Sequence, residues 1–191
     1  MIRMNFNTTL IIVSLICNIP ICCKTIHNRP TDWAKKITGS KFTALYKLND
    51  SMYRCEQPDS IGFAIIDSIG IKSVLNLRSY HEDSDLVYRL PLKQYNVKIN
   101  PYYFGDKEIV KALRILESSP KPIVIHCNIG GDRTGVVIAM YRIIYQNWTK
   151  EKALNEMKDG GYRFHWIFFN MPYYINEVDI ERIKKKISYK N

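Results

Sequence analysis

Cys127 and Arg133 are separated by five residues in the run His126-Cys127-Asn128-Ile129-Gly130-Gly131-Asp132-Arg133-Thr134-Gly135. A cysteine and an arginine at this spacing can perform nucleophilic chemistry on an anion, provided the chain between them curls into a cradle. Gly130 and Gly131 permit that curl, since glycine accepts backbone angles and close approaches that a side chain forbids. Successive N–H groups of such a loop point inward and bind negative charge. A helix starting near Arg133 adds the positive end of its dipole at the same point. The Arg133 guanidinium matches two oxygens of a phosphate in a fork. The same field favours the thiolate, which is the nucleophilic form of cysteine. His126 is then expected to orient the loop by hydrogen bonding rather than to act as a base. The Thr134 hydroxyl is expected to steady the sulfur as a leaving group. The expected site is Cys127 and Arg133 as catalytic residues, with Asn128, Ile129, Gly130, Gly131, Asp132, Arg133 and Thr134 holding a phosphate dianion.

That geometry needs a strand ending just before Cys127 and a helix beginning just after the loop. Pro122-Ile-Val-Ile-His126 is an apolar run of strand type, and Thr134 to Tyr145 is an apolar stretch of helical length. Upstream, Ile61 to Ile69 reads as a helix capped by Asp59 or Ser60 and stopped at Gly70. It feeds a buried strand over Ile71 to Arg78, and Tyr95 to Asn100 reads as a short strand. Ile109, Val110, Leu113 and Ile115 give Glu108 to Glu117 a helical spacing, with Asp106 placed as its N-cap. Thr149 caps a further helix that ends at Gly160-Gly161. A last helix, rich in Lys and Glu, spans about Asn176 to Ser188. Residues 25–40 are mixed and polar, an irregular lead-in. Strands alternating with helices predict an α/β architecture with a mainly parallel central sheet flanked by helices.

The chain has 191 residues, 46% hydrophobic and 12% aromatic, which is enough for a core and too apolar for a disordered chain. Lys and Arg number 28 against 18 Asp and Glu, a formal net charge of +10. Such a balance attracts anions without choosing among nucleic acid, membrane and phosphorylated substrates. No acidic residue precedes Asp32. Arg3 followed by the short apolar run Leu10 to Cys23 has the pattern of a secretory signal, with a cut near Cys23 to Thr25. Residues 1–25 are therefore expected to be a signal peptide and residues 26–191 a single catalytic domain. The protein is expected to be exported, periplasmic or secreted, with no membrane span once the signal is removed. A buried N-terminal helix, an uncleaved anchor and a lipidated cysteine are competing readings of the same segment. Its removal takes Cys17, Cys22 and Cys23, leaving Cys55 and Cys127, too few for a disulfide framework. The histidines His27, His81, His126 and His165 show no ligand spacing, and no Walker loop, zinc-finger or nucleic-acid motif occurs. No metal, no cofactor and no nucleic-acid partner is expected. Lys184-Lys185-Lys186 reads as a solvated helix face, and Phe164 to Phe169 as core packing that could also wall a cleft.

The His-Cys-x5-Arg-Thr-Gly run resembles the signature of the cysteine-based protein tyrosine phosphatases, and fits it better than that of rhodanese-like sulfur transferases. The likeness extends over Met52 to Pro58, Gly70 to Arg78, Met140 to Trp148 and Ala153 to Tyr162, or about residues 50–180. In these segments the chain is similar to the small atypical dual-specificity phosphatases of bacteria, including exported ones. The resemblance implies a sheet of four or five strands with helices on both sides. It implies metal-independent hydrolysis of phosphate monoesters through a cysteinyl-phosphate. Protein phosphotyrosine is the first substrate implied, with phosphoserine or phosphothreonine beside it. A phosphoinositide or inositol phosphate is the alternative, although Asn128, Ile129 and Asp132 are not the lysines that would suit a highly charged ring. A monomer acting on phosphorylated proteins is expected; a phosphate-binding module without catalysis is the alternative from another class. The resemblance also implies an acidic aspartate on a separate loop a few tens of residues before the cysteine. Val97 to Gly105 contains no carboxylate, so Asp106 is the first candidate, with an N-cap as its structural alternative. Glu82, Asp83 and Asp85, Asp132 within the loop, or no dedicated acid at all, compete with it. Cys55 stands where a small residue such as serine is expected. It reads as a small buried hydrophobe, with reversible pairing to Cys127 as the redox alternative.

Overall fold

A computed structural model describes residues 29–39, 42 and 44–189; the segment read as a signal, residues 1–25, lies outside the described residues. Along the chain the elements are β1 (Lys35–Lys36), β2 (Tyr46–Asn49), β3 (Met52–Cys55), α1 (Ser60–Ser68), β4 (Ser73–Asn76), α2 (Ser84–Val87), β5 (Lys93–Asn96), α3 (Asp106–Ser118), β6 (Ile123–His126), α4 (Asp132–Gln146), α5 (Lys150–Asp159), α6 (Asn170–Glu177) and α7 (Ile180–Ser188). They build one sheet in the order β1-β2-β3-β6-β4-β5. The pairs β3–β6, β6–β4 and β4–β5 are parallel, whereas β1–β2 and β2–β3 are antiparallel. β3, β4 and β6 are buried at every position, as parallel strands covered on both faces must be.

The α/β class with a mainly parallel sheet is therefore correct, and the strand count of four or five is corrected to six. The extra strands come from residues 35–49, where β1 is two exposed lysines and β2 is half-buried throughout, so neither carries an apolar alternation to read. The last predicted helix is also corrected. It divides into α6 and α7 at the extended Val178, because Asp179 accepts a hydrogen bond from Arg182 N at 3.1 Å and starts a new helix. Lys150 Nζ closes the end of α6 by donating to the carbonyls of Asn176 (2.6 Å) and Val178 (2.8 Å).

Two cores lie on opposite faces of the sheet. Met52, Leu75, Ile123 and Ile125 face α3, α4, α5, α6 and α7; Tyr53, Val74 and Val124 face α1 and α2. Burying each large aliphatic side chain contributes about 1.5–3 kcal/mol, against less than about 1 kcal/mol for an exposed ion pair. The cores, and not the basic surface, hold the fold. α1 begins as expected, with Asp59 accepting from Gly62 N at 2.7 Å. In the next α/β unit, β6 sits in the middle of the sheet and hands the chain directly to the loop before α4. The loop thus lies at the carboxyl end of the central parallel strand, where open α/β sheets place their ligand sites.

Candidate active site

The loop between β6 and α4 is shaped by three carbonyls turned outward. Asn128 O accepts from Gln57 N (3.0 Å), Ile129 O from Arg163 Nη2 (3.4 Å) and Gly130 O from Arg54 Nη2 (2.6 Å). In a trans peptide the following N–H points the opposite way, so the amides of Ile129, Gly130 and Gly131 turn inward. Gly130 N indeed donates to Cys127 Sγ at 3.3 Å. Gly130 has φ +79°, and a Cβ there would stand 2.4 Å from the Cys55 carbonyl oxygen; one on Gly131 would meet Arg163 O at 2.5 Å. Both positions require glycine. Cys127 is buried at the bottom of the cradle, and α4 starts at Asp132, so its dipole also points at the sulfur.

Arg133 lies in the first turn of α4. Its Nε and the Thr134 Oγ1 are buried without a hydrogen-bond partner among the described residues. Unpaired buried donors are costly, and phosphate oxygens would satisfy them. The Thr134 hydroxyl does not bond the Cys127 sulfur in this structure, which corrects that expectation. Asn128 is exposed, Ile129 half-buried, and Gly130, Gly131 and Asp132 buried.

Sequence reasoning missed Arg54. This buried guanidinium holds Gly130 O and lies 3.5 Å from the centroid of the Tyr162 ring. Burial pulls its proton affinity below the usual arginine value, against the opposing influence of Tyr162, Glu156 and Cys127. Tyr162 is fixed in turn by Glu156, which accepts from the Tyr162 hydroxyl (3.1 Å) and from Arg142 Nε (2.8 Å) and Nη2 (2.9 Å). The buried Arg142–Glu156 pair between α4 and α5 therefore supports the loop through Tyr162 and Arg54. Only the aromatic-basic composition of Met52 to Cys55 hints at this in the sequence.

His126 is fully buried, with Nε2 2.8 Å from Asp83 Oδ2 and Nδ1 3.3 Å from Cys127 O. The ring faces away from Sγ and orients the loop. Burial pushes the Asp83 carboxyl up, but hydrogen bonds with His126 and Gln57 outweigh this and hold it below the usual value. Asp83 is thus an ionised anchor, not an acid. Replacing it with alanine leaves a fully buried imidazole nitrogen unpaired, and is expected to cost about 1–3 kcal/mol in urea denaturation at neutral pH. Because the folded carboxyl is depressed, that stability exists above the unfolded carboxylate range (about 3.9). It is lost as pH falls through the lower folded value, so the gap between parent and variant closes there.

Asp106 is corrected on two counts. Gly105 is the N-cap of α3, and Asp106 is its first helical residue. Its carboxylate lies 3.0 Å from Tyr174 Oη, 2.8 Å from Lys186 Nζ and 3.1 Å from Arg182 Nε, tying α3 to α6 and α7. Burial raises its carboxyl, but these partners hold it below the usual value. An acid must carry a proton, and a carboxylate between two cations does not. Asp106→Asn is expected to lower the melting temperature by a few degrees while phosphatase kcat stays within about twofold, since partly exposed pairs contribute about 1 kcal/mol or less. Glu82 precedes α2 and Asp85 lies in its first turn; both are exposed, and neither side chain makes a hydrogen bond within the described residues.

The structure also decides between the readings of Cys55. It pairs in register with His126, so both project to the face of Phe63 and Ile66, while Cys127 belongs to the opposite core. Both cysteines are unbridged. Burial pushes the Cys55 thiol well above its ordinary value, which makes it unreactive. A bond to Cys127 would require backbone movement, and Cys55 is a packing residue. Among the described residues no cluster of three or more His, Cys, Asp or Glu side chains could hold a metal ion, and no helix is long and apolar enough to cross a membrane.

Comparison with known proteins joins this geometry to a family. The dual specificity phosphatase TpbA of Pseudomonas aeruginosa is 27% identical over 165 residues, covering 84% of this chain and 73% of the relative. A crystal structure of TpbA in complex with phosphotyrosine superposes with a TM-score of 0.76 at 25% identity, covering 85% of this chain and all of that one. An inositol diphosphatase of Arabidopsis thaliana is 28% identical over 148 residues, covering 72% of this chain and 71% of the relative. Residues 52–176 match the family model described as "Dual specificity phosphatase, catalytic domain". That match runs from β3 through the Cys127–Arg133 cradle to α6, and the chain belongs to the dual specificity phosphatase family.

Proposed function

We propose that the protein removes phosphate from tyrosine residues of proteins through a cysteinyl-phosphate. Cys127 Sγ attacks phosphorus, the inward amides and Arg133 hold the equatorial oxygens, and water then cleaves the S–P bond. The observation that carries the reading is the cradle itself: a buried sulfur at its base, inward N–H groups, and unpaired buried donors on Arg133 and Thr134. Exposed rings of Tyr102, Tyr103, Trp166 and Phe169 on the segments flanking the loop suit a phenol-bearing substrate. The likeness to TpbA, whose structure contains phosphotyrosine, supports the same choice.

An inositol phosphate is the second reading, favoured by the Arabidopsis relative. Against it, the loop side chains Asn128, Ile129 and Asp132 add no cation, and Arg163 on the rim is paired with Glu56. Initial rates on a phosphotyrosyl peptide, a phosphoseryl peptide and an inositol pyrophosphate separate the two. The phosphotyrosyl peptide is expected to give the highest kcat/KM, and a preference for the inositol substrate would reverse the assignment. The basic start and apolar run before Thr25 support export to a periplasm or beyond, and the protein is read as a monomer. Fractionation of the native cells with sizing of the mature chain tests both.

A further inference from the structure

Neither Asp106, held by Lys186 and Arg182, nor Asp83, which lies behind the loop on His126, is free to protonate the leaving oxygen. The segment from which the family resemblance implies an acid, Val97 to Gly105, contains none. That segment is packed against residues 165–170. Asn170 Nδ2 donates to Pro101 O (2.9 Å) and Tyr102 O (3.3 Å), the Tyr102 and Phe168 rings meet edge-on at 5.3 Å, and the Phe168 ring meets His165 at 6.3 Å. His165 therefore sits where the two segments join beside the cradle.

Its other neighbour is the cradle itself. Asp132, immediately before Arg133, accepts from His165 N at 2.8 Å through Oδ1, and its Oδ2 lies 2.9 Å from His165 Nδ1. Asp132 is buried, while the His165 side chain is 48% exposed. With Nδ1–H donated to the carboxylate, Nε2 is the nitrogen left for exchange, and it makes no hydrogen bond within the described residues. A buried carboxylate that fixes one nitrogen of a half-exposed imidazole is an arrangement suited to proton transfer at the other.

We propose that His165, positioned by Asp132, is the general acid and base of this phosphatase. The proposal rests on the cysteinyl-phosphate reading given above. In the first step the Cys127 Sγ–P bond forms and the P–O bond to the leaving group breaks. The departing oxygen keeps the electron pair and takes the proton from Nε2 of the imidazolium. In the second step neutral Nε2 accepts a proton from the attacking water, a new P–O bond forms, and the S–P bond electrons return to sulfur. Asp132 keeps its hydrogen bond to Nδ1 throughout and acts as a positioning residue, while His165 is the catalytic one.

The test is the dependence of kcat/KM on leaving-group acidity, using p-nitrophenyl, phenyl and alkyl phosphates. A dedicated acid matters least for p-nitrophenolate and most for poor leaving groups. His165→Ala is expected to lower p-nitrophenyl phosphate turnover less than about tenfold and phenyl phosphate turnover by about 10²- to 10⁴-fold. His165→Gln, which keeps a polar side chain, is expected to match the alanine variant, and Asp132→Asn to steepen the dependence by an intermediate amount. An equal loss on every substrate, or rescue by glutamine, would mean a structural role and overturns the proposal. Absence of Cys127-dependent turnover of p-nitrophenyl phosphate by the parent chain would overturn the underlying phosphatase reading, a distinct outcome.

Discussion

Cys127→Ser is expected to reduce phosphotyrosyl-peptide hydrolysis by at least about 10⁴-fold, the scale of losing a covalent nucleophile, while leaving peptide affinity within a few-fold of the parent. The two halves of this expectation have separate physical origins. Binding draws on the inward amides of Ile129, Gly130 and Gly131, the α4 dipole and the Arg133 fork, none of which contains the sulfur atom. Catalysis requires an anion at the position of Sγ, where Gly130 N–H arrives at 3.3 Å. A serine hydroxyl stays protonated there unless a base removes its proton. The imidazole next to it in sequence, His126, cannot do so, because Nε2 is bound to Asp83 and Nδ1 faces the Cys127 carbonyl. The pair of measurements is an initial rate on the peptide and fluorescence anisotropy of the same labelled peptide. Residual turnover within about tenfold of the parent would remove Cys127 from the nucleophile role. Loss of binding together with turnover would mean that the substitution had collapsed the cradle.

What could be read in the sequence, and what could not, follows from the range of each interaction. The Cys127–Arg133 loop was legible because its shape is set by neighbours in sequence: two obligatory glycines, an apolar strand before and an apolar helix after. The helix caps at Asp59 and Thr149 were legible for the same reason, since each bonds an amide three residues ahead. Arg54 was not legible, since nothing local shows that it reaches Gly130 across 76 residues. Nor was the pairing of Asp106 with Lys186, 80 residues away, which turned the first candidate for the acid into a clamp between helices. Asp132 and His165, 33 residues apart, belong to the same class. Ion pairs and hydrogen bonds over such separations carry no periodicity, so a residue's role changes with a partner that only the fold supplies.

The redox alternative at Cys55 failed for another reason. Sequence distance says nothing about which face of a sheet a side chain takes, and a shift of one position reverses it. The pairing of Cys55 with His126 rather than with Cys127 decides the matter. The same alternation places Arg54, one residue earlier, on the face of Tyr162 and the cradle. One strand of four residues therefore supplies both a support for the loop and an unreactive thiol.

Arg133→Lys is expected to lower kcat/KM by about 10²- to 10³-fold although the charge is retained, comparable to removing one preorganised donor of an oxyanion site. The guanidinium presents its N–H groups in a fixed plane that matches two phosphate oxygens at once, whereas an ammonium is a single strongly hydrated point charge. Position in the fold sharpens the difference. Arg133 Nε is already buried and unpaired, so its desolvation is built into the free enzyme and need not be met again when phosphate arrives. A lysine at the start of α4 would keep its hydration and give it up only on binding, without gaining the second oxygen. The loss should therefore appear mainly in kcat, where the equatorial oxygens of the transition state gather charge, with KM for the phosphotyrosyl peptide changing less. Arg133→Ala should fall further than the lysine variant, because charge and fork are then both absent. Steady-state rates of the three proteins on one peptide decide the point. Lysine equal to arginine would mean that charge alone acts at this position, and lysine equal to alanine would mean that the fork alone does.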